Sequence, residues 1–147
     1  MTNVMTIGFT QKSAKDFFGL LTQANVQNVL DVRLNNVSQL AGFAKKGDLQ
    51  FLLKEVAGIG YLEVKDLAPS KSILSQYQKG SMDWARYEQE YISEISRRRV
   101  EHLLDKTIFD HGCLLCSEHH PHECHRRLAA EYLNSCWGGT LQIRHLY

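Results

Sequence analysis

The stretch CLLCSEHHPHECHRRLAAEYL, residues 113–133, decides the fold that the sequence predicts. It opens with two leucines between two cysteines, the composition of a short buried strand, and it ends with apolar residues at helical spacing. A polar segment rich in histidine lies between these two parts. The stretch therefore predicts a strand, a polar loop and a helix, which is the repeating unit of a parallel α/β sheet.

Short runs rich in apolar and β-branched residues recur along the chain. The run at residues 29–34 is hydrophobic but is interrupted by one acid and one base. Strands are predicted at residues 4–7, 29–34, 61–64, 113–116 and 141–146.

The segments between these strands carry helix signals. Ser13 followed by Asp16 forms a start that resembles a capping box, and helices are also predicted from Asp48, from Asp83 and from about Cys124. Residues 66–81 are predicted to be mostly irregular. On the second helix four apolar residues are expected to face inward: Leu49, Leu52, Leu53 and Val56. On the third, an aromatic stripe is expected to pack in the core: Trp84, Tyr87, Tyr91 and Ile95.

Strands that alternate with helices predict one fold class. We expect a single α/β domain over residues 1–147, with three layers: a mostly parallel sheet of about five strands and helices on both faces. In such sheets ligands bind beyond the carboxyl ends of the strands. The site is therefore expected where these five strands end.

Charge and composition exclude several classes of protein. The formal net charge of +1 is too small to hold a polyanion by itself, and the basic run at residues 97–99 is expected to face solvent at a helix end. No segment reaches the roughly 18 apolar residues of a membrane span, and no signal peptide is evident. We expect a cytoplasmic protein whose four cysteines are reduced.

Thiols and charged groups cluster at the predicted strand ends. Cys124 lies at a helix start, where the helix dipole stabilises a thiolate, and Cys116 lies at the end of a strand. With Glu118 and His125 as acid or base, these residues are candidates for catalysis. A buried, inert Cys116 is the alternative.

A second group is suited to hold an anion. Thr10, Asp31, Arg33 and Arg126 are predicted to bind a small anionic molecule, or a nucleotide or nucleic-acid component, near a helix N-terminus. The alternative is that Asp31 pairs with Arg33 or Arg126 and only holds the loops in place.

A metal site is a further alternative, and the leading hypothesis requires no cofactor. Cys113 and Cys116 point to opposite faces of a regular strand, so a zinc ion held by both is disfavoured. Zinc or iron held by Cys116, Cys124 and His125 does not need Cys113. A metal-binding or regulatory module therefore competes with an enzyme, and a rhodanese-like sulfurtransferase ranks below both.

The chain resembles the bacterial and archaeal family called domain of unknown function 488. The similar motifs are T-I-G at residues 6–8, D-V-R at 31–33, the aromatic helix, and L-C-x-E at 115–118 followed by Pro121 and C-H-R at 124–126. Phe9 and Thr10 replace the histidine and serine usual in that family. The resemblance points to Asp31, Arg33 and the signature residues, and it assigns no role to three histidines: His119, His120 and His122.

Overall fold

The computed structural model describes residues 1–36, 42–117 and 123–147. Five parallel strands form one sheet in the order β3-β2-β4-β1-β5. The strands are β1 (Thr2–Gly8), β2 (Asn28–Asp31), β3 (Gly60–Glu63), β4 (Gly112–Cys116) and β5 (Leu141–Leu146). The predicted α/β class is confirmed, and the sheet is parallel throughout.

The described residues form six α-helices around this sheet. They are α1 (Ala14–Gln23), α2 (Lys46–Leu52), α3 (Lys71–Gln78), α4 (Trp84–Arg98), α5 (Val100–Leu103) and α6 (His125–Cys136). A π-helical turn over Leu53–Ala57 extends α2, and short 3₁₀ turns cover Gly42–Ala44, Lys65–Leu67 and Lys106–Phe109.

Two predicted helix caps are confirmed and one is wrong. Ser13 Oγ accepts a hydrogen bond from the backbone N–H of Asp16 at 3.1 Å, and Asp83 caps α4 in the same way. The helix predicted from Asp48 begins earlier, because the backbone N–H of Lys46 donates to the carbonyl of Asn36 and fixes the start there. Asp48 lies instead in the first turn, where its charge favours the positive end of the helix.

Two expectations about helix surfaces are confirmed in part: Arg97 and Arg99 face solvent as predicted, and two of the four apolar residues of α2 and its extension face inward. Leu49 and Leu53 are buried, but Val56 is 66% exposed, because the wider π-helical turn rotates it away from the sheet. Arg98 is not purely solvated at the end of α4, since its Nη1 donates to the carbonyls of Asp66 and Ala68 at 2.8 and 2.7 Å.

The segment predicted to be irregular contains α3. Ser70 Oγ accepts from the backbone N–H of Ile73, and Ile73 is buried in the core that α4 also joins. The backbone N–H of Ser70 donates to Glu94 of α4 at 2.9 Å. Packing on α4 therefore stabilises a helix that is only eight residues long.

A separate hydrophobic core covers each face of the sheet. One core contains the buried side chains of α1 and α2, and the other contains those of α3, α4 and α6. Cys113 belongs to the first core and Cys116 to the second, so the prediction that they point to opposite faces is confirmed. The stripe residues Tyr87, Tyr91 and Ile95 are buried in the second core, as predicted.

The topology places a crevice at one point of the carboxyl edge. β1 and β4 are neighbours, yet the chain leaves β1 for the face of α1 and leaves β4 for the face of α6. Loops that diverge in this way open a cleft where α/β proteins bind ligands. Within the described ranges, no helix combines the length and apolarity that a bilayer crossing would need.

Candidate functional site

A pocket of about 270 Å³ opens at this carboxyl edge. Four predicted site residues line it together: Arg33 after β2, Cys116 at the end of β4, and Cys124 and His125 at the start of α6. Another part of the lining is an aromatic wall formed by Tyr77 of α3 and by Trp84 and Tyr87 of α4. The pocket therefore joins the predicted reactive groups to a wall of rings.

The other predicted site residues lie outside the pocket lining. Asp31 and Arg126 are buried behind it, and Thr10 holds the loop after β4, because its hydroxyl donates to the carbonyl of Ser117 at 2.7 Å. Glu118 lies outside the described residues, as do the histidines at positions 119, 120 and 122.

The two cysteines of the signature are joined. Cys116 and Cys124 form a disulfide, which differs from the expected reduced thiols, whereas Cys113 and Cys136 are free. The pairing arises because Cys124 is the N-cap of α6, and that helix start lies over the end of β4. Burial raises the pKa of the Cys113 thiol well above its ordinary value, so this residue is inert in the folded protein.

Arg126 connects the Cys116 sulfur to a buried hydrogen-bond chain. Its Nη1 donates to Cys116 Sγ and its Nε donates to Thr6 Oγ1, both at 3.2 Å. Thr6 Oγ1 lies 2.6 Å from His145 Nδ1, and burial, followed by the charge of Arg126, lowers the pKa of His145. Nδ1 of a neutral His145 accepts a hydrogen bond from the Thr6 hydroxyl. These hydrogen bonds fix Arg126 beside the sulfur.

His125 is held as a neutral imidazole. Its Nε2 lies 2.8 Å from the carbonyl oxygen of Val32, which can only accept, so Nε2 carries the proton and Nδ1 keeps its lone pair. Burial lowers the pKa of His125 to about 4. His125 is therefore uncharged at neutral pH, and its Nδ1 can accept a hydrogen bond.

Asp31 and Arg33 form a buried pair, which was one of the two predicted alternatives. Arg33 Nε and Nη2 donate to the two Asp31 carboxylate oxygens at 2.8 Å each, and Arg33 Nη1 donates to the carbonyl of Ala44. Tyr61 also donates its hydroxyl to Asp31. The centroid of the Phe9 ring lies 5.5 Å from Arg33 Cζ. Arg33 is thus fixed from several sides.

Three donor atoms of the site are close enough to share one metal ion. One donor each from Cys116, Cys124 and His125 lies within 4.8 Å of the other two. The Cα atoms of the two cysteines are 7.5 Å apart, beyond the usual disulfide span of about 4.4–6.8 Å. Two thiolates on one tetrahedral zinc have sulfurs roughly 3.8 Å apart, which accommodates a wider Cα spacing.

Several residues that line the pocket are absent from the predicted site. Tyr77 and Gln78 come from α3, in the segment predicted to be irregular. A signal was present in the sequence, since Ser70 can cap a helix and Ile73 and Tyr77 are spaced i, i+4. Trp84 and Tyr87 were recognised as a stripe but were assigned to the core, and both also line the pocket.

Comparison with known proteins identifies the family. Searches of curated proteins and of solved structures found no match. The family model described as "Domain of unknown function DUF488" matches residues 13–133, which include D-V-R, the aromatic helix and the signature that ends in C-H-R. The chain belongs to the DUF488 family.

Proposed function

We propose that this chain binds a small anionic molecule, of the nucleotide or nucleic-acid-component class, and acts on it by thiol or acid–base chemistry. One observation carries the proposal: two cysteines and one histidine line a pocket at the carboxyl edge of the sheet together with an aromatic wall. Ligands bind at this edge in open parallel sheets. The proposal places the protein in the cytoplasm, where the Cys116–Cys124 disulfide would be exposed to reductants.

The surroundings of the two sulfurs favour thiolates once the disulfide is reduced. Cys124 occupies the N-cap position of α6, a helix of 12 residues, and the positive end of that helix stabilises a negative sulfur. The Arg126 guanidinium stabilises a thiolate at Cys116 through its 3.2 Å contact. Either sulfur can then serve as a nucleophile, and a His125 ring nitrogen lies within 4.8 Å of both.

An anionic group has a place beside Arg33. A guanidinium has five N–H donors, and the side chain of Arg33 uses one bond each from Nε, Nη1 and Nη2. The remaining hydrogens on Nη1 and Nη2 are suited to the oxygens of a carboxylate or phosphate. Because Asp31 and Phe9 fix the guanidinium, little side-chain entropy would be lost on binding.

A thermal-shift screen against nucleoside monophosphates, sugar phosphates and inorganic phosphate tests the binding step. A ligand at 100 times its Kd adds about 2.7 kcal/mol to the free energy of unfolding, which corresponds to a rise in Tm of roughly 5–11 °C for a chain of this size. Trp137→Phe, which lies outside the pocket, should respond as the wild type does. A flat response to every compound would contradict the proposal.

Turnover of a compound that binds tests the chemical step. Cys116→Ser, Cys124→Ser and Glu118→Gln should each abolish its turnover, whereas Cys136→Ser, an exposed cysteine, should not. If all three variants turn the ligand over at the wild-type rate, the catalytic part of the proposal fails and a binding module remains.

A metal centre is the second candidate function, favoured by the three clustered donors and by the Cα spacing of the cysteines. Cys116, Cys124 and His125 would hold zinc or iron, and three protein ligands leave a coordination position for a water molecule or a substrate. Untagged protein purified without chelators should then contain about one metal ion per chain. Cys116→Ser should lose it, and Cys113→Ser, on the opposite sheet face, should keep it.

The number of reactive thiols distinguishes a metal-bound site from a disulfide-bonded one. Unfolded, chelated and unreduced protein should show four reactive thiols if the site held a metal and two if it held the disulfide. Metal-free protein with two reactive thiols would remove the metal candidate.

A further inference from the structure

The aromatic wall of the pocket, formed by Tyr77, Trp84 and Tyr87, is a packed cluster of rings. The Tyr77 and Tyr87 centroids are 4.8 Å apart, and Trp84 stacks on Tyr87 at 5.3 Å with an interplanar angle of 27°. Tyr87 stacks in turn on Tyr91, whose ring lies 5.5 Å from that of His125. A continuous series of rings therefore connects the wall to the reactive cluster.

Burial decreases toward the outer end of this series. Tyr91 is fully buried and Tyr87 is 2% exposed, whereas Trp84 and Tyr77 are only half-buried. The two outer rings thus retain apolar surface while their packing on Tyr87 limits their rotation. Rings fixed in this way can stack on a ligand at a small cost in side-chain entropy.

The polar groups near the wall are suited to a neutral ring. Arg33 is the only cation among the described lining residues, and its charge is paired with Asp31. Asn35 and Gln78 also line the pocket, and each amide can both donate and accept. Such amides match the mixed donor and acceptor edges of nucleobases better than they match a phosphate.

We propose that Trp84 and Tyr77 are specificity determinants that stack on the planar ring of a nucleobase-class ligand. This inference rests on the proposed function and refines it, because the ring, and not the anionic group, would occupy the aromatic side of the pocket. A volume of about 270 Å³ is just below the range of roughly 300–1,000 Å³ for pockets that hold drug-sized ligands, so one base or nucleoside suits it. Neutral nucleosides should therefore bind without any phosphate.

Tryptophan fluorescence gives a direct test, because the chain has two tryptophans. Trp137 follows the last turn of α6, about 18 Å along that helix from the pocket, and packs on Phe109. In Trp137→Phe, emission reports on Trp84 alone. Adenosine, uridine and adenosine 5′-monophosphate serve as probes, with ribose 5-phosphate as the matched compound that lacks a base. The nucleosides should quench Trp84, and ribose 5-phosphate should not.

Calorimetric titration of adenosine into four variants completes the test. Trp84→Leu and Tyr77→Leu should each weaken binding by roughly 5- to 150-fold, the effect of removing one stacking ring. Tyr77→Phe keeps the ring and should bind within about twofold of the wild type. Trp84→Phe controls for misfolding, because it retains an aromatic ring against Tyr87. Its loss of adenosine affinity should be smaller than that of Trp84→Leu.

The outcomes separate this inference from the proposed function. If ribose 5-phosphate binds as tightly as the monophosphate, or if folded Trp84→Leu and Tyr77→Leu bind adenosine as the wild type does, the stacking inference is overturned and the proposed function stands. If nucleosides, nucleotides and ribose 5-phosphate all fail to bind, both are overturned.

Discussion

Replacing Asp31 by alanine removes the carboxylate on which the Arg33 guanidinium depends. Both side chains are almost completely buried, at 0% and 2% exposure. Asp31 accepts two hydrogen bonds from the guanidinium, one from the backbone N–H of Arg33 and one from the Tyr61 hydroxyl. The substitution therefore leaves a buried cation whose remaining described side-chain contacts are a hydrogen bond to the Ala44 carbonyl and the Phe9 ring.

The expected loss of unfolding free energy follows from the cost of leaving a buried charge unpaired. Breaking a buried ion pair by removing one partner costs about 3–5 kcal/mol, out of the roughly 5–15 kcal/mol that stabilise a typical domain. For a chain of this size that loss lowers Tm by roughly 6–20 °C. Replacing both partners by apolar side chains should cost less, because no unpaired charge remains.

Urea unfolding of a double-mutant cycle measures this effect. Asp31→Ala should lose about 3–5 kcal/mol of unfolding free energy, and adding Arg33→Met should recover part of that loss. Tyr61→Phe, which removes one hydrogen bond to the carboxylate, should cost about 1.5–3 kcal/mol. A loss below about 1 kcal/mol for Asp31→Ala, or strictly additive effects in the cycle, would refute the view that this pair is a coupled unit.

Three further predictions concern the buried polar chain and the cysteines. Thr6→Val removes a fully buried hydroxyl and should cost about 1–3 kcal/mol in urea unfolding, whereas Thr6→Ser, which keeps the hydroxyl between Arg126 and His145, should cost less. Burial and the charge of Arg126 lower the pKa of His145, Glu131 opposes this shift and Arg127 adds to it. His145 therefore binds a proton more readily in the unfolded chain than in the folded protein. Stability should therefore fall as pH drops below about 6.5. His145→Asn should reduce that dependence but not abolish it, because burial also lowers the pKa of His125, and an unchanged slope would contradict the assignment. In folded, reduced protein at pH 8, mass spectrometry should find iodoacetamide on Cys136 but not on Cys113, whose modification before unfolding would contradict its burial.

The sequence predicted best those features that depend on local pattern. The alternation of β4 placed Cys113 and Cys116 on opposite faces, and the caps at Ser13 and Asp83 were read from side chains within three residues of the helix start. The parallel sheet followed from the order of its elements. These features need no information about distant residues.

The missed features depend on distant contacts. The bond from the Lys46 backbone N–H to Asn36 starts α2 before Asp48, and α3 is stabilised by its packing on α4. In the site, the Cys116–Cys124 pairing and the buried position of Arg126 depend on how α6 docks on the sheet. The aromatic wall was recognised only in part, since Tyr77 reaches the pocket from α3.

Our central proposal is that the cysteine pair and a nucleotide-binding pocket form a single site. The most direct test follows alkylation of the reduced protein by iodoacetamide, peptide by peptide, with AMP, GMP, CMP or UMP present. A bound nucleotide at ten times its Kd should slow modification of Cys116 and Cys124 about tenfold and leave the exposed Cys136 unchanged. If none of these nucleotides protects Cys116 or Cys124, the proposal is contradicted.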